Sequence, residues 1–191
     1  ERIDPVRFLS NDSSGKMGVA LAEAARDMGA FVTLVHGPLQ VPVPDGVTAI
    51  AVESGKDMLE TVLARFDDQD LVIKSAAVAD YRPKTVHTEK HKKVHGPLTI
   101  ELEETTDILK TLGEKKTHQL LVGFAAETEN LEQHARDKIA RKRVDYLVAN
   151  DVSQPDIGFR SDDNEVMLFR ADGAHVRLPR QSKRELAVEL L

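Results

Sequence analysis

Residues 10–18, with the sequence SNDSSGKMG, combine residue types that bind phosphate groups. Apolar residues recur at helical spacing from Met17 to Met28, which predicts a helix that begins at Gly15 and Lys16. The first backbone amides of a helix lack partners within it and carry the positive end of its dipole, so they attract anions. The predicted anion-binding residues are Ser13, Ser14, Gly15 and Lys16. The alternative is that a serine here only caps the helix.

This pattern differs from the common nucleotide-binding motifs. A Walker loop would place glycine at position 10 and serine or threonine at position 17, where this chain has Ser10 and Met17. The three-glycine fingerprint of dinucleotide-binding domains does not occur either. A short-chain reductase would carry a Tyr-x-x-x-Lys pair, but neither Tyr81 nor Tyr146 is followed by lysine at that spacing. Kinases, motor-type triphosphatases and NAD(P)-linked reductases are therefore disfavoured.

Composition limits the class of protein further. The 191 residues are 41% hydrophobic and 30% charged, which predicts one well-filled domain over residues 1–191. A net charge of -6 disfavours a nucleic-acid or acidic-membrane binder. The absence of cysteine excludes disulfides, thiolate catalysis and cysteine-bound zinc. Because no apolar run reaches the roughly 20 residues that a bilayer requires, we expect a cytoplasmic protein without a membrane partner.

Strands and helices are predicted to alternate along the chain. Apolar, β-rich runs predict strands at 31–36 (buried), 47–52, 70–77, 98–102, 119–126 and 146–149, and a hairpin at 166–169 and 175–178. Helical periodicity predicts helices at 15–28, from Ser54 to Phe66, and at 107–112, 131–143 and 183–191, the last capped by Ser182. This order predicts a Rossmann-like, three-layer α/β domain with a doubly wound, mostly parallel sheet and a C-terminal β-hairpin. We also expect a further strand before residue 1, because a phosphate loop in such a sheet follows a central strand.

Three predicted strand ends carry residues that can bind a ligand. Ligands of parallel sheets bind where the strands end, here at residues 76–81 (AAVADY), 123–127 (GFAAE) and 149–153 (ANDVS). Asp80 can bind a sugar hydroxyl, a base or a hydrated metal, and the ring of Phe124 can lie against a base. The alternatives are an aspartate that only forms a turn, a phenylalanine of the core and a polar turn.

Basic residues cluster in two places. The helix after GFAAE places His134, Lys138 and Lys142 on one stripe, so two lysines can face one anion. The sequence EKHKK at 89–93 lies in a stretch without helical or strand periodicity, which predicts a flexible basic flap loop over residues 83–97 that can close over phosphates. For both, the alternative is a solvated charged surface.

Six segments, in this order, make the chain similar to one family. They are SNDSSGKMG, AAVADYRP, EKHKK, TTDIL, VGFAAET and ANDVS. Over nearly its whole length the chain resembles bacterial phosphopantothenoylcysteine synthetase, the ligase half of a bifunctional coenzyme A biosynthesis protein. The resemblance implies a Mg²⁺-dependent reaction in which CTP activates 4′-phosphopantothenate as an acyl-cytidylate with release of pyrophosphate. The amine of L-cysteine then displaces CMP. It also implies a homodimer formed through the central strand region, and a decarboxylase domain as a fused or associated partner.

The resemblance also implies roles for individual residues. Asn11 is expected to orient the acyl group in the second step, and Lys90 to be the mobile cation over the intermediate. Besides the helix-start residues named above and Lys90, the implied nucleotide contacts are Lys74, Ser75, Ala76, Asp80, Thr106, Asp107, Ile108, Leu109, Phe124, Ala125, Ala126, Lys138 and Lys142. Asp80 is also the candidate metal ligand. The choice of CTP over ATP comes from the resemblance alone, and a non-catalytic nucleotide-binding module and an NAD(P)-binding Rossmann protein stay open as alternatives.

Overall fold

A computed structural model describes residues 1–90, 92, 96–127, 131–151 and 160–191. The helices are α1 (Lys16–Asp27), α2 (Gly55–Leu63), α3 (Ile108–Lys115), α4 (Leu131–Lys142) and α5 (Lys183–Leu190). The strands are β1 (Arg2–Asp4), β2 (Arg7–Phe8), β3 (Thr33–His36), β4 (Thr48–Ala51), β5 (Leu71–Lys74), β6 (Tyr81–Pro83), β7 (Leu102–Glu104), β8 (Leu120–Glu127), β9 (Tyr146–Asp151), β10 (Asp163–Arg170) and β11 (His175–Ser182). In the described ranges, no helix is both long and apolar enough to cross a membrane.

The main sheet has five strands in the order β11-β10-β9-β8-β5. The strands β5, β8 and β9 run parallel, while β10 is antiparallel to both β9 and β11. A separate parallel pair joins β3 to β4. The predicted α/β class with a mostly parallel sheet and a C-terminal hairpin is therefore confirmed.

Helices cover both faces of the main sheet and complete three layers. On one face, α3 and α4 pack against β8 and β9 through buried apolar side chains that include Leu109, Leu112, Leu121, Ala135, Ile139 and Leu147. On the other face, α1 and α5 pack together through Ala20, Leu21, Ala24 and Ala187. Most of the apolar pattern predicted for α1 is thus the face that the helix buries, while Met28 at its end is exposed.

An open groove separates the two parallel sheets. Among the described strands, β3 pairs with β4 alone and β5 pairs with β8 alone. A cavity of about 1000 Å³ lies between β3 and β5 and continues to their carboxyl ends. The strand predicted at 31–36 is confirmed from Thr33 to His36, but the prediction that it is buried is wrong, because Phe31 is fully exposed and β3 is at most half-buried beside the groove.

Two small antiparallel pairs lie beside the main sheet. In the turn between β1 and β2, the buried Asp4 carboxylate accepts hydrogen bonds from the backbone N–H groups of Val6 and Arg7. The pair β6–β7 forms an arm, and the predicted strand at 98–102 is wrong in position because pairing with β6 begins only at Leu102. The predicted flap loop follows β6, and its positions 91 and 93–95 lie outside the described residues.

The contact between α3 and α4 depends on a glycine. A Cβ added at Gly113 would lie 1.9 Å from the Lys142 carbonyl oxygen, which is a backbone atom that cannot rotate away. We expect Gly113→Ala to lower the free energy of unfolding by about 1–3 kcal/mol in urea titrations, because the two helices must separate. Gly37→Ala is the control, since a Cβ there meets nothing within 4 Å. An equal loss in both variants would contradict this.

Candidate active site

The predicted anion site at the start of α1 has the geometry that anion binding requires. Gly15 is the N-cap, its φ of 79° lies in the left-handed region, and no side chain caps the helix. The Ser14 hydroxyl oxygen accepts a long hydrogen bond of 3.5 Å from the Lys16 amide, but the N-cap is Gly15 and not a serine, so the interpretation of a serine that only caps the helix is wrong. Ser13, Ser14, Gly15 and Lys16 all line the cavity. The first-turn amides are therefore placed to meet an anion there.

The Lys16 ammonium, however, contacts another part of the chain. It donates to the Arg160 carbonyl oxygen at 2.8 Å and to the Asp162 carboxylate at 2.6 Å. The hydrogen bond from Lys16, and then its charge, lower the pKa of Asp162. This pairing could not be predicted from sequence spacing, because Asp162 lies in a polar segment far along the chain from Lys16.

Asn11 lies at the carboxyl end of β5. Its Nδ2 donates a hydrogen bond to the Ala77 carbonyl oxygen at 2.6 Å. A primary amide has two N–H groups, so one can still donate to a ligand. The first predicted strand end and the predicted catalytic asparagine are thus brought together, and both line the cavity.

Four charged side chains cluster where β5 ends and α3 begins. Lys74 donates to the Ala76 carbonyl oxygen at 2.9 Å, and Lys142 forms an ion pair with Asp107 at 3.1 Å. Burial, followed by the charge of Lys142, lowers the pKa of Lys74, while Asp107 and Asp80 partly offset this effect. Two lysines from separate elements therefore lie near each other at one edge of the sheet, where Asp107 and Asp80 balance their charge, and of these four side chains Lys74 and Asp80 line the cavity.

Asp107 has two functions in this cluster. Its carboxylate is the N-cap of α3, accepting from the Lys110 amide at 3.0 Å, and it pairs with Lys142. Burial raises the pKa of Asp107, but the Lys110 amide and Lys142 outweigh burial, so the pKa lies below its usual value.

The cap predicts a pH-dependent loss of stability. We expect Asp107→Ala to lower the free energy of unfolding by about 1 kcal/mol at neutral pH, and Asp107→Asn, which still caps, to lower it much less. Because the pKa of Asp107 is lowered on folding, its contribution is present above the usual aspartate pKa and is lost as the pH falls through the lowered value. Urea titrations at neutral and acidic pH measure the difference; a loss that persists unchanged in acid would contradict the assignment.

The remaining predicted residues divide into two groups. Ser75, Ala76, Asp80, Phe124, Ala125, Ala126 and Lys138 line the cavity. Ile108 also lines the cavity, although its side chain is buried, whereas Thr106, Asp107, Leu109 and Lys142 lie outside the lining. Phe124 also packs against the α1–α5 contact, as the core alternative predicted. Lys90 is exposed and lies outside the cavity lining.

Two asparagines that were not among the predicted site residues also line the cavity. Asn150 ends the apolar part of β9, Asn164 lies on β10, and both are buried. The ANDVS segment was the available signal for Asn150; its positions 152 and 153 lie outside the described residues. Nothing in the sequence indicated Asn164. Over the described ranges, no three His, Asp or Glu side chains form a metal-binding group, so Asp80 stays a lone candidate.

Comparison with known proteins gives three similarities over the whole chain. The family model described as DNA/pantothenate metabolism flavoprotein C-terminal domain matches residues 1–191. Coenzyme A biosynthesis bifunctional protein CoaBC of Bacillus subtilis (strain 168) is 53% identical over 192 residues, which are 100% of this chain and 47% of that protein. A crystal structure of the C-terminal domain of a CoaBC protein is 49% identical, with a TM-score of 0.85, and the match covers 100% of this chain and 86% of that one.

A more distant structure shares the fold alone. It is a Cab2 variant in complex with phosphopantothenate-cysteine, 17% identical, with a TM-score of 0.72, and the match covers 99% of this chain and 80% of that one. The chain spans about half the length of the curated relatives it matches, 47% of the Bacillus subtilis protein and 48% of the Escherichia coli (strain K12) protein.

Proposed function

The chain belongs to the family of the DNA/pantothenate metabolism flavoprotein C-terminal domain, and on this premise we propose that it is a phosphopantothenate–cysteine ligase of coenzyme A biosynthesis. The proposed substrates are CTP, 4′-phosphopantothenate and L-cysteine. The relatives are named as bifunctional proteins, so a decarboxylase domain is the proposed fused partner.

The chemistry explains why a nucleotide is needed. A carboxylate does not acylate an amine at neutral pH, because it is resonance-stabilised and lacks a good leaving group. In the proposed first step, a carboxylate oxygen of 4′-phosphopantothenate attacks the α-phosphorus of CTP, and pyrophosphate leaves. In the second step, the neutral amine of L-cysteine attacks the acyl carbon of the acyl-cytidylate, a proton is lost from nitrogen, and CMP leaves.

One observation carries this proposal: a single cavity holds both an anion site and an amide donor. The amides at the start of α1 and the Lys74 ammonium supply positive charge along the cavity lining, and Lys142 lies near Lys74 in an ion pair with Asp107. Asn11, held by the Ala77 carbonyl oxygen, supplies an N–H for the acyl oxygen. A binding module needs only the anion site, whereas a ligase needs both.

Asp80 suits the proposed Mg²⁺. It lines the cavity near the Lys74 ammonium, and one carboxylate is a sufficient protein ligand where phosphate oxygens and water complete the coordination. The ion would neutralise phosphate charge there. Asp80 would hold it while Lys74 and Lys142 contact the remaining phosphate oxygens.

A homodimer stays part of the proposal. The turn between β1 and β2 and the β6–β7 arm lie in contact and leave apolar side chains exposed, among them Val6, Phe8, Tyr81 and Leu102. A second copy that covered this face would remove the apolar surface from water. Light scattering measures the oligomeric state and so tests whether the chain forms a dimer. The interface is either this face or the central strand region that the resemblance implies.

A turnover assay tests the proposed function. The chain is mixed with CTP, Mg²⁺ and 4′-phosphopantothenate. We expect pyrophosphate release that requires both substrates, and amide product only after L-cysteine is added. ATP in place of CTP tests the choice of nucleotide. If the chain releases no CTP-dependent pyrophosphate, the ligase proposal is wrong, and tight CTP binding without turnover would favour the non-catalytic module.

A further inference from the structure

Residues 160–162 lie across the loop that carries Asn11. The Arg160 guanidinium pairs with the Asp12 carboxylate at 2.6 Å. The Lys16 ammonium, at the other end of the same loop, reaches both the Arg160 carbonyl oxygen and the Asp162 carboxylate. Contacts from one three-residue segment thus fasten the loop on both sides of its serines.

Lys183, the first residue of α5, holds residues 160–162 in place through two hydrogen bonds. The Lys183 ammonium donates to the Ser161 carbonyl oxygen at 2.6 Å, and its backbone N–H donates to the Asp162 carbonyl oxygen at 2.9 Å. Lys183 is only 6% exposed, and its helix packs against α1. Because a buried lysine holds it to the body of the fold, residues 160–162 can support the loop.

Two further hydrogen bonds attach the loop that carries Asn11 to the rest of the fold. Asn11 bonds to the Ala77 carbonyl oxygen at the end of β5, and the Ser14 carbonyl oxygen accepts from the Gln40 amide at 3.0 Å. The contacts of Asp12 and Lys16 add to these two bonds in setting the direction of the Asn11 amide. A shift of about 1 Å at an orienting group is enough to lower a rate by as much as about 100-fold.

We propose that Lys16 and Asp162 are positioning residues, which hold the loop so that Asn11 meets the acyl group, and that the Lys16 side chain does not bind the nucleotide phosphates. An ammonium has three N–H groups, and two of those of Lys16 are used by residues 160–162. The phosphates are left to the α1 amides, Lys74 and Lys142. The kinetic part of this inference rests on the proposed ligase function.

Hydrogen exchange tests the positioning without any assay of activity. In Lys16→Met and in Asp162→Ala, we expect the amides of residues 12–16 to exchange about five times faster than in the parent, because an ion pair that fixes the loop is lost. The matched control is Lys56→Met, which removes an exposed ion pair to Glu60 on α2. Unchanged exchange in Lys16→Met would overturn the proposal.

A double-mutant cycle then separates positioning from phosphate binding. For Lys16→Met, we expect amide formation to slow about tenfold while the Kd for CTP with Mg²⁺, measured by calorimetry, stays within about twofold. The variant that carries both Lys16→Met and Asp162→Ala should be no slower than Lys16→Met alone, and Lys16→Arg should recover activity. A Kd raised tenfold or more in Lys16→Met and unchanged in Asp162→Ala would show that Lys16 binds phosphate. A parent chain without turnover would refute the ligase proposal, and the exchange experiment would still decide the role of Lys16.

Discussion

Replacing Asn11 with aspartate is expected to slow amide formation by about 10²- to 10³-fold, the cost of losing one oxyanion donor. The Asn11 Nδ2 already donates to the Ala77 carbonyl oxygen, so its other N–H is the group available to the acyl oxygen. A carboxylate at this position cannot donate and adds negative charge where the oxyanion develops. Single-turnover experiments with L-cysteine measure the second step directly.

The first step distinguishes a catalytic effect from misfolding. We expect Asn11→Asp to release pyrophosphate at close to the parent rate and to accumulate the acyl-cytidylate, because the activation step does not use this donor. Thermal unfolding and CTP affinity serve as controls on the same variant. Equal losses in both steps would contradict the assigned role, and so would normal amide formation.

Replacing Lys90 with glutamine is expected to lower kcat by about 10²-fold or more, with a smaller change in the KM for CTP. Lys90 is exposed and lies outside the cavity lining, so it has to move over the substrates to act. A mobile cation that reaches the phosphates only during reaction stabilises the transition state more than the bound nucleotide. Steady-state kinetics of pyrophosphate release give both constants.

Lys92→Gln is the matched control for this loop. Lys92 is also exposed and is two residues away, so its replacement removes the same charge from the same loop. We expect its kcat to stay within about twofold of the parent, because surface charges contribute little. If Lys90→Gln and Lys92→Gln behave alike, the effect is one of net loop charge. If Lys90→Gln turns over like the parent, the catalytic role is wrong and the binding-module alternative gains.

Local signals predicted most of the helices and the main sheet. Helix α2 is capped by Ser54 and α5 by Ser182, each in a capping box, and both caps depend on residues three positions apart. The strands β5, β8 and β9 follow from their apolar runs. The arm was predicted only in part: a strand was expected at 98–102, close to β7, but β6 was missed, because its pairing with a strand about 20 residues further along the chain leaves no local pattern.

The candidate site was predicted only where it consists of local sequence patterns. The strand ends at Ala76 and Phe124 and the start of α1 were found because each is a local pattern. The ion partners of Lys16 and Lys142 were not found, since Asp162 and Asp107 lie far from them in sequence. Sequence spacing shows that a lysine is present, but the fold decides which carboxylate it meets.

A crystal structure with CTP and Mg²⁺ tests the central claim most directly. We expect the polyphosphate at the start of α1, within hydrogen-bonding distance of the Gly15 and Lys16 backbone amides, with the Lys74 and Lys142 ammonium groups on its other side. Electron density for the anion at any other place, or a closed cavity with no nucleotide in it, would contradict the proposed site and the mechanism built on it.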